Sequence, residues 1–163
     1  MKKTIYNPDT LAPPVGHFDR AVKFGANWLF VSGTSALTNV QGDMKKRKLI
    51  KGIKAQTHET LDNIEKVLKD AGGSLADIYE VRMILKKREH FPIVDAIFKE
   101  RIPKKGFIAH GYKGELLHPD MELEIEAYAY LGKTQTVRKR YPKKKAPAKR
   151  KAPARRTTAR ARR

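Results

Sequence analysis

The sequence has no cysteine, a single tryptophan and no acidic residue after Glu126. Without cysteine there are no disulfides, thiolate nucleophiles or Cys-ligated zinc, which fits a reducing compartment. No run approaches the roughly 18 apolar residues of a membrane-spanning helix. The segment Met1-Lys2-Lys3-Thr4-Ile5-Tyr6-Asn7-Pro8 lacks an apolar core and does not read as a secretory signal. Cytoplasmic placement, with nucleoid association as a variant, is the expectation. The missing acids divide the chain in two. Residues 133–163 hold 15 of the 36 Lys and Arg, leaving 21 basic against 17 acidic residues, a net of +4, in residues 1–132. The chain as a whole carries +19. A near-ordinary piece, long enough to hide about two-thirds of its unfolded surface, is followed by a polycation.

Hydrophobic periodicity organises residues 1–132. Residues 1–20 are rich in turn formers (Pro8, Pro13, Pro14, Gly16), with room for a short strand at 4–6. Ala21-Val22-Lys23-Phe24 and Trp28-Leu29-Phe30-Val31-Ser32 read as strands joined by a tight turn at Gly25-Ala26-Asn27. The second run is apolar on both parities, which predicts burial on both faces. Between Gly33 and Gly52 the pattern is lost. Ile53, Thr57, Leu61, Ile64, Leu68 and Ala71 then recur at three- and four-residue steps, the signature of an amphipathic helix ended by Gly72-Gly73. Its polar side takes Glu59, Asp62, Glu65, Lys66, Lys69 and Asp70, with His58 exposed. A strand at 81–85, a helix at 91–101, a strand at 106–112 and a loop at 114–120 follow. Residues 122–130 alternate strictly, with Glu122, Glu124, Glu126, Tyr128 and Tyr130 on one face and Leu123, Ile125, Ala127 and Ala129 on the other. The order β-β-β-α-β-α-β-β predicts an α+β fold, a mixed sheet with two helices packed on one face.

Residues 133–163 have another logic. Pro142, Pro147 and Pro153 block helix, and no Ile, Leu, Val or aromatic residue follows Tyr141. Such a segment cannot recover its ordering entropy alone and is expected to be disordered. Its Lys-Ala-Pro-Ala near-repeat, at 145–148 and 151–154, is low complexity rather than a structural unit.

Several strings of the globular part coincide, in order, with one family. Gly16-His17-Phe18-Asp19-Arg20-Ala21-Val22, Ser32-Gly33-Thr34, Leu68-Lys69-Asp70-Ala71-Gly72-Gly73, Phe91-Pro92-Ile93-Val94-Asp95-Ala96-Ile97-Phe98 and Leu123-Glu124-Ile125-Glu126-Ala127-Tyr128-Ala129 carry it. Residues 4–132 resemble the Rid family (YjgF-type reactive intermediate deaminases). The resemblance implies a chorismate-mutase-like fold and a homotrimer with pockets at subunit interfaces. The implied activity is hydrolysis of enamine or imine intermediates to 2-oxo acids and ammonia, with no metal or organic cofactor. It makes Glu124 the residue that orients the attacking water, with Ser32, Gly33, Phe18, Phe107 and Lys105 around an imine or 2-oxo acid ligand. The family places an Arg two residues after a Pro to hold the substrate carboxylate, and here Lys105 follows Pro103. An ammonium is a point charge on a mobile stem and matches a carboxylate less well than the guanidinium fork. Phe18 and Thr34 also depart from the family's Tyr and Gln, and Asp95 from its Asn.

Each candidate has a plainer alternative. Glu122, Glu124 and Glu126 alone would read as the solvent face of a strand; the resemblance singles out Glu124 and leaves the other two with that reading. Ser32-Gly33 after a strand is commonly a turn, and no Ser/His/Asp pattern makes Ser32 a nucleophile. Lys105 belongs to a basic run with Lys99, Arg101 and Lys104, which is commonly a solvated patch. The five histidines lack ligand spacing, so no metal site is expected. In the tail, Lys143, Lys144, Lys145, Lys149, Arg150, Lys151, Arg155 and Arg156 suit nucleic-acid phosphates bound through counterion release, without base readout. Six more basic residues lie between Lys45 and Lys54. Past Tyr141 the tail has no Ile, Leu, Val or aromatic residue to insert into a membrane. A non-catalytic ligand-binding or trimerisation module, tethered to DNA or RNA by its tail, is the alternative function.

Overall fold

The computed structural model describes residues 1–37, 47–102, 106–135 and 137. Lys105 and the eight basic residues assigned to nucleic acid lie outside them. Strands β1 (Lys3–Tyr6), β2 (Ala21–Phe24) and β3 (Trp28–Thr34) form an antiparallel meander. Helix α1 (Ile53–Asp70), β4 (Ile78–Leu85), α2 (Phe91–Arg101), β5 (Ile108–Lys113) and β6 (Leu123–Tyr130) follow. The sheet order is β1-β2-β3-β6-β4-β5, antiparallel throughout except for β4 beside β5. The parallel pair needs a crossover, which α2 supplies. The mixed sheet with two helices, predicted from periodicity, is the chorismate-mutase-like architecture.

The core follows from the alternation of β6. Leu123, Ile125, Ala127 and Ala129 are buried on the helical side, together with Leu29, Val31, Val81, Met83 and the α1 residues Leu61, Ile64 and Leu68. Helix α1 ends at Gly72, whose φ of 87° is the left-handed conformation that glycine accepts at little cost. Gly73 N–H then closes on the Leu68 carbonyl at 2.7 Å, as in a Schellman cap. Four polar residues of α1, Gln56, Thr57, Thr60 and Asn63, are buried. Gln56 shows why. Its Nε2 donates to the carbonyls of Ile50 and Asp120, and its Oε1 accepts from Glu122 N–H, all at 2.8 Å. One side chain thus ties the segment before α1 to the loop before β6. His58 is half-buried rather than exposed.

Burial of Trp28–Val31 on both faces does not hold. Leu29 and Val31 face the core, but Trp28 is 46% exposed and Phe30 37%. Both helices pack on the other side, so these two rings stand on the open face of the sheet. Trp28 packs edge-on against Tyr79 and Tyr130, and Phe30 against Phe24 and Tyr128. At the sheet edge, all six residues of β5 are exposed. Among the described residues, no helix is long and apolar enough to cross a membrane.

Candidate active site

A change of register builds the site. Val31 pairs with Ala127 and Thr34 with Ile125, so Ser32 and Gly33 together stand opposite the single residue Glu126. The extra residue of this bulge lets Val31 and Thr34, three apart, both face the core. It also brings the Gly33 backbone against the neighbouring strand's side chain. A Cβ on Gly33 would lie 2.6 Å from Glu124 Oε1 and 3.0 Å from its carboxyl carbon. Only glycine leaves room for this carboxylate. Ser32 is turned away from it: its Oγ donates to the Asp19 carbonyl at 2.7 Å, and its N–H to the Arg20 carbonyl at 3.0 Å. Ser32 therefore braces β3 against the segment before β2.

Glu124 opens into a cavity of about 870 Å³ that Phe18, Ser32 and Gly33 also line. Four residues expected at the site thus come together within one chain. Phe107 does not line this cavity; it lies just before β5, partly buried, with its ring edge-on to Phe98 of α2 at 6.4 Å. The apolar side of α2 captures it. Burial, and then the neighbouring Glu126 charge, push the Glu124 carboxyl above its ordinary pKa. Such a group exchanges protons closer to neutrality than a solvated carboxylate.

The cavity holds further groups that the sequence reading passed over. Glu126, left with the solvent face, lines it and accepts from Tyr128 Oη at 3.0 Å. Arg82 lies over the Tyr128 ring, 5.3 Å from its centroid, and pairs with Glu80 at 2.8 Å. Glu122, the other glutamate given to solvent, faces His90 Nε2 at 3.4 Å. Arg20, Arg47, Ser35, Asn63 and His118 complete the polar lining, whereas Arg82 and Glu122 lie outside it. Arg47 was hidden in the basic run at 45–54; its neighbours in sequence give no sign that it turns inward. Among the described residues, no group of His, Asp and Glu could hold a metal ion.

Comparison with known proteins agrees with this architecture. Residues 9–131 match the family described as Endoribonuclease L-PSP. A RutC family protein of Pyrococcus horikoshii is 32% identical over 131 residues, 80% of this chain and 98% of that protein. The 3-aminoacrylate deaminase RutC of Acinetobacter baylyi is 28% identical over 131 residues, 80% of this chain and all of that protein. The crystal structure of RidA from an Antarctic Psychrobacter superimposes with a TM-score of 0.69 at 25% identity, covering 78% of this chain and 98% of that one. A family match over residues 9–131, together with these relatives, leads to one conclusion: the chain belongs to the Rid family, the group described as Endoribonuclease L-PSP.

Proposed function

We propose that the protein hydrolyses small enamine or imine compounds to carbonyl products and ammonia, with Glu124 as the acid–base residue. The observation that carries this reading is the Glu124 carboxylate, half-buried against Gly33 in a cavity of substrate size, with its pKa raised. Imine hydrolysis needs one group to take a proton and then return it. The ionised Glu124 accepts a proton from water as its oxygen bonds to the C=N carbon. Glu124 returns that proton to the nitrogen, then takes the hydroxyl proton of the resulting carbinolamine and passes it to the same nitrogen, so that the C–N bond breaks as the carbonyl forms and ammonia leaves. Glu124 ends the cycle as a carboxylate. A carboxyl tuned upward is suited to both halves. The Acinetobacter relative is named for an enamine substrate, 3-aminoacrylate, which supports the substrate class.

A homotrimer belongs to the same proposal. The ring cluster of Trp28, Phe30, Tyr79, Tyr128 and Tyr130 on the open face and the uncovered edge strand β5 are surfaces that another copy would bury. Residues 1–132 are read as the catalytic domain and 133–163 as an appended basic segment that binds nucleic-acid phosphates. The charge of +15 over those 31 residues supports this second role.

Ammonia release from a 2-imino acid generated in situ by an amino-acid oxidase tests the activity. A rate well above the buffer reaction is expected. A rate equal to background would leave the non-catalytic binding module as the account of this chain.

A further inference from the structure

Two arginines line the cavity that holds Glu124, and the proposed acid–base chemistry uses neither. Arg47 is 6% exposed, and its Nε and Nη1 find no hydrogen-bond acceptor among the described residues. Arg20 Nη2 donates to the carbonyls of Ala12 at 2.7 Å and Pro13 at 3.4 Å, while its Nε is also without an acceptor there. Burial first, and then the Arg47 charge, depress the Arg20 pKa. Among the described residues no carboxylate pairs with either, although Glu124 and Glu126 line the same cavity. A buried cation without a counter-charge is costly to fold around. Arg47, buried, and Arg20, half-buried, both line the cavity, and together they leave a deficit of negative charge that an entering anion would fill.

We propose that Arg20 and Arg47 form a carboxylate-binding subsite of this cavity and hold the acid group of a small 2-imino or 2-oxo acid. The assignment of the reacting end of that ligand to Glu124 rests on the function proposed above; the anion subsite does not. The subsite also accounts for a departure noted in the sequence. Where the Rid pattern has an arginine, this chain has Lys105, and Arg20 and Arg47 supply from the same chain the forked donors that a carboxylate prefers.

Calorimetric titration of the full chain with 2-oxobutanoate, and with the neutral 2-oxobutanamide, tests this. The acid is expected to bind at least about tenfold more tightly than the amide, the scale of a hydrogen bond to a charged group. Arg47→Gln and Arg20→Gln should each erase that preference, and Arg47→Lys should restore part of it. Equal binding of acid and amide by the unaltered protein, or binding of neither, overturns the subsite whatever the variants do. So does a folded Arg47→Gln protein with undiminished affinity, or a loss confined to Lys105→Ala. Glu124→Gln separates the two claims. It should keep the acid preference even if ammonia release proves absent from the unaltered protein, in which case the subsite stands and the deaminase reading falls.

Discussion

Glu124 and Gly33 occupy one another's space: the carboxylate on β6 rests where a side chain at the β3 bulge would otherwise stand, 2.6 Å from an ideal Cβ. Gly33→Ala should therefore push Glu124 out of position while leaving the strands paired. Displacements of about 1 Å can cost on the order of a hundredfold in rate. Steady-state ammonia release should fall by about that factor, with the melting temperature little changed.

The raised pKa of Glu124 has opposite signs in activity and stability. Activity needs the ionised form, so the rate should rise with pH through a value above the ordinary 4.5. Folding disfavours that ion, so Glu124 contributes stability that is complete below its unfolded pKa and lost as pH rises through its folded one. Glu124→Gln should therefore melt higher than the unaltered protein at neutral pH. The gap should close below about pH 4, as followed by circular dichroism melts across pH.

Gln56 joins three backbone groups that no other described side chain meets. Gln56→Leu leaves two carbonyls and one N–H, all part-buried, to find new partners. At about 1–3 kcal/mol for a buried group left unpaired, a loss of roughly 3 kcal/mol in urea unfolding is expected. Ammonia release per folded molecule should survive.

Trp28 packs edge-on against Tyr79 and Tyr130 in the exposed ring cluster. A charge placed there would be buried by the proposed trimer. Trp28→Glu should shift sedimentation from trimer toward monomer, whereas a trimer of undiminished stability would place the interface elsewhere.

Removing residues 133–163 takes away +15. Nucleic-acid binding by the full chain should weaken steeply between low and physiological salt. The truncated chain should bind weakly at both, as read by gel shift; equal binding by the two proteins would deny the segment its role.

The fold was legible wherever burial is one-sided. Alternation in β6 and the 3.6-residue period of α1 each reflect a single covered face, and both elements emerged close to their predicted limits. Trp28 and Phe30 misled because aromatic residues on an open sheet face read the same as core residues. Gln56 and Asn63 were invisible because their burial depends on loops distant in sequence. At the site, the motif around Ser32-Gly33 and the strand bearing Glu124 were sufficient to place both at one cavity. Arg47 was not recoverable, since a basic run reads as solvated until one member turns inward. Phe107 was claimed for the site by resemblance, but within the chain it packs on Phe98.

The most direct test of the central claim is the rate of ammonia release from an in situ 2-imino acid, compared between the unaltered protein and Glu124→Gln at matched oligomeric state. Loss of the group that moves the proton should lower the rate about a hundredfold or more, with 2-oxobutanoate affinity retained. A Glu124→Gln protein that releases ammonia as fast as the unaltered one would contradict the account.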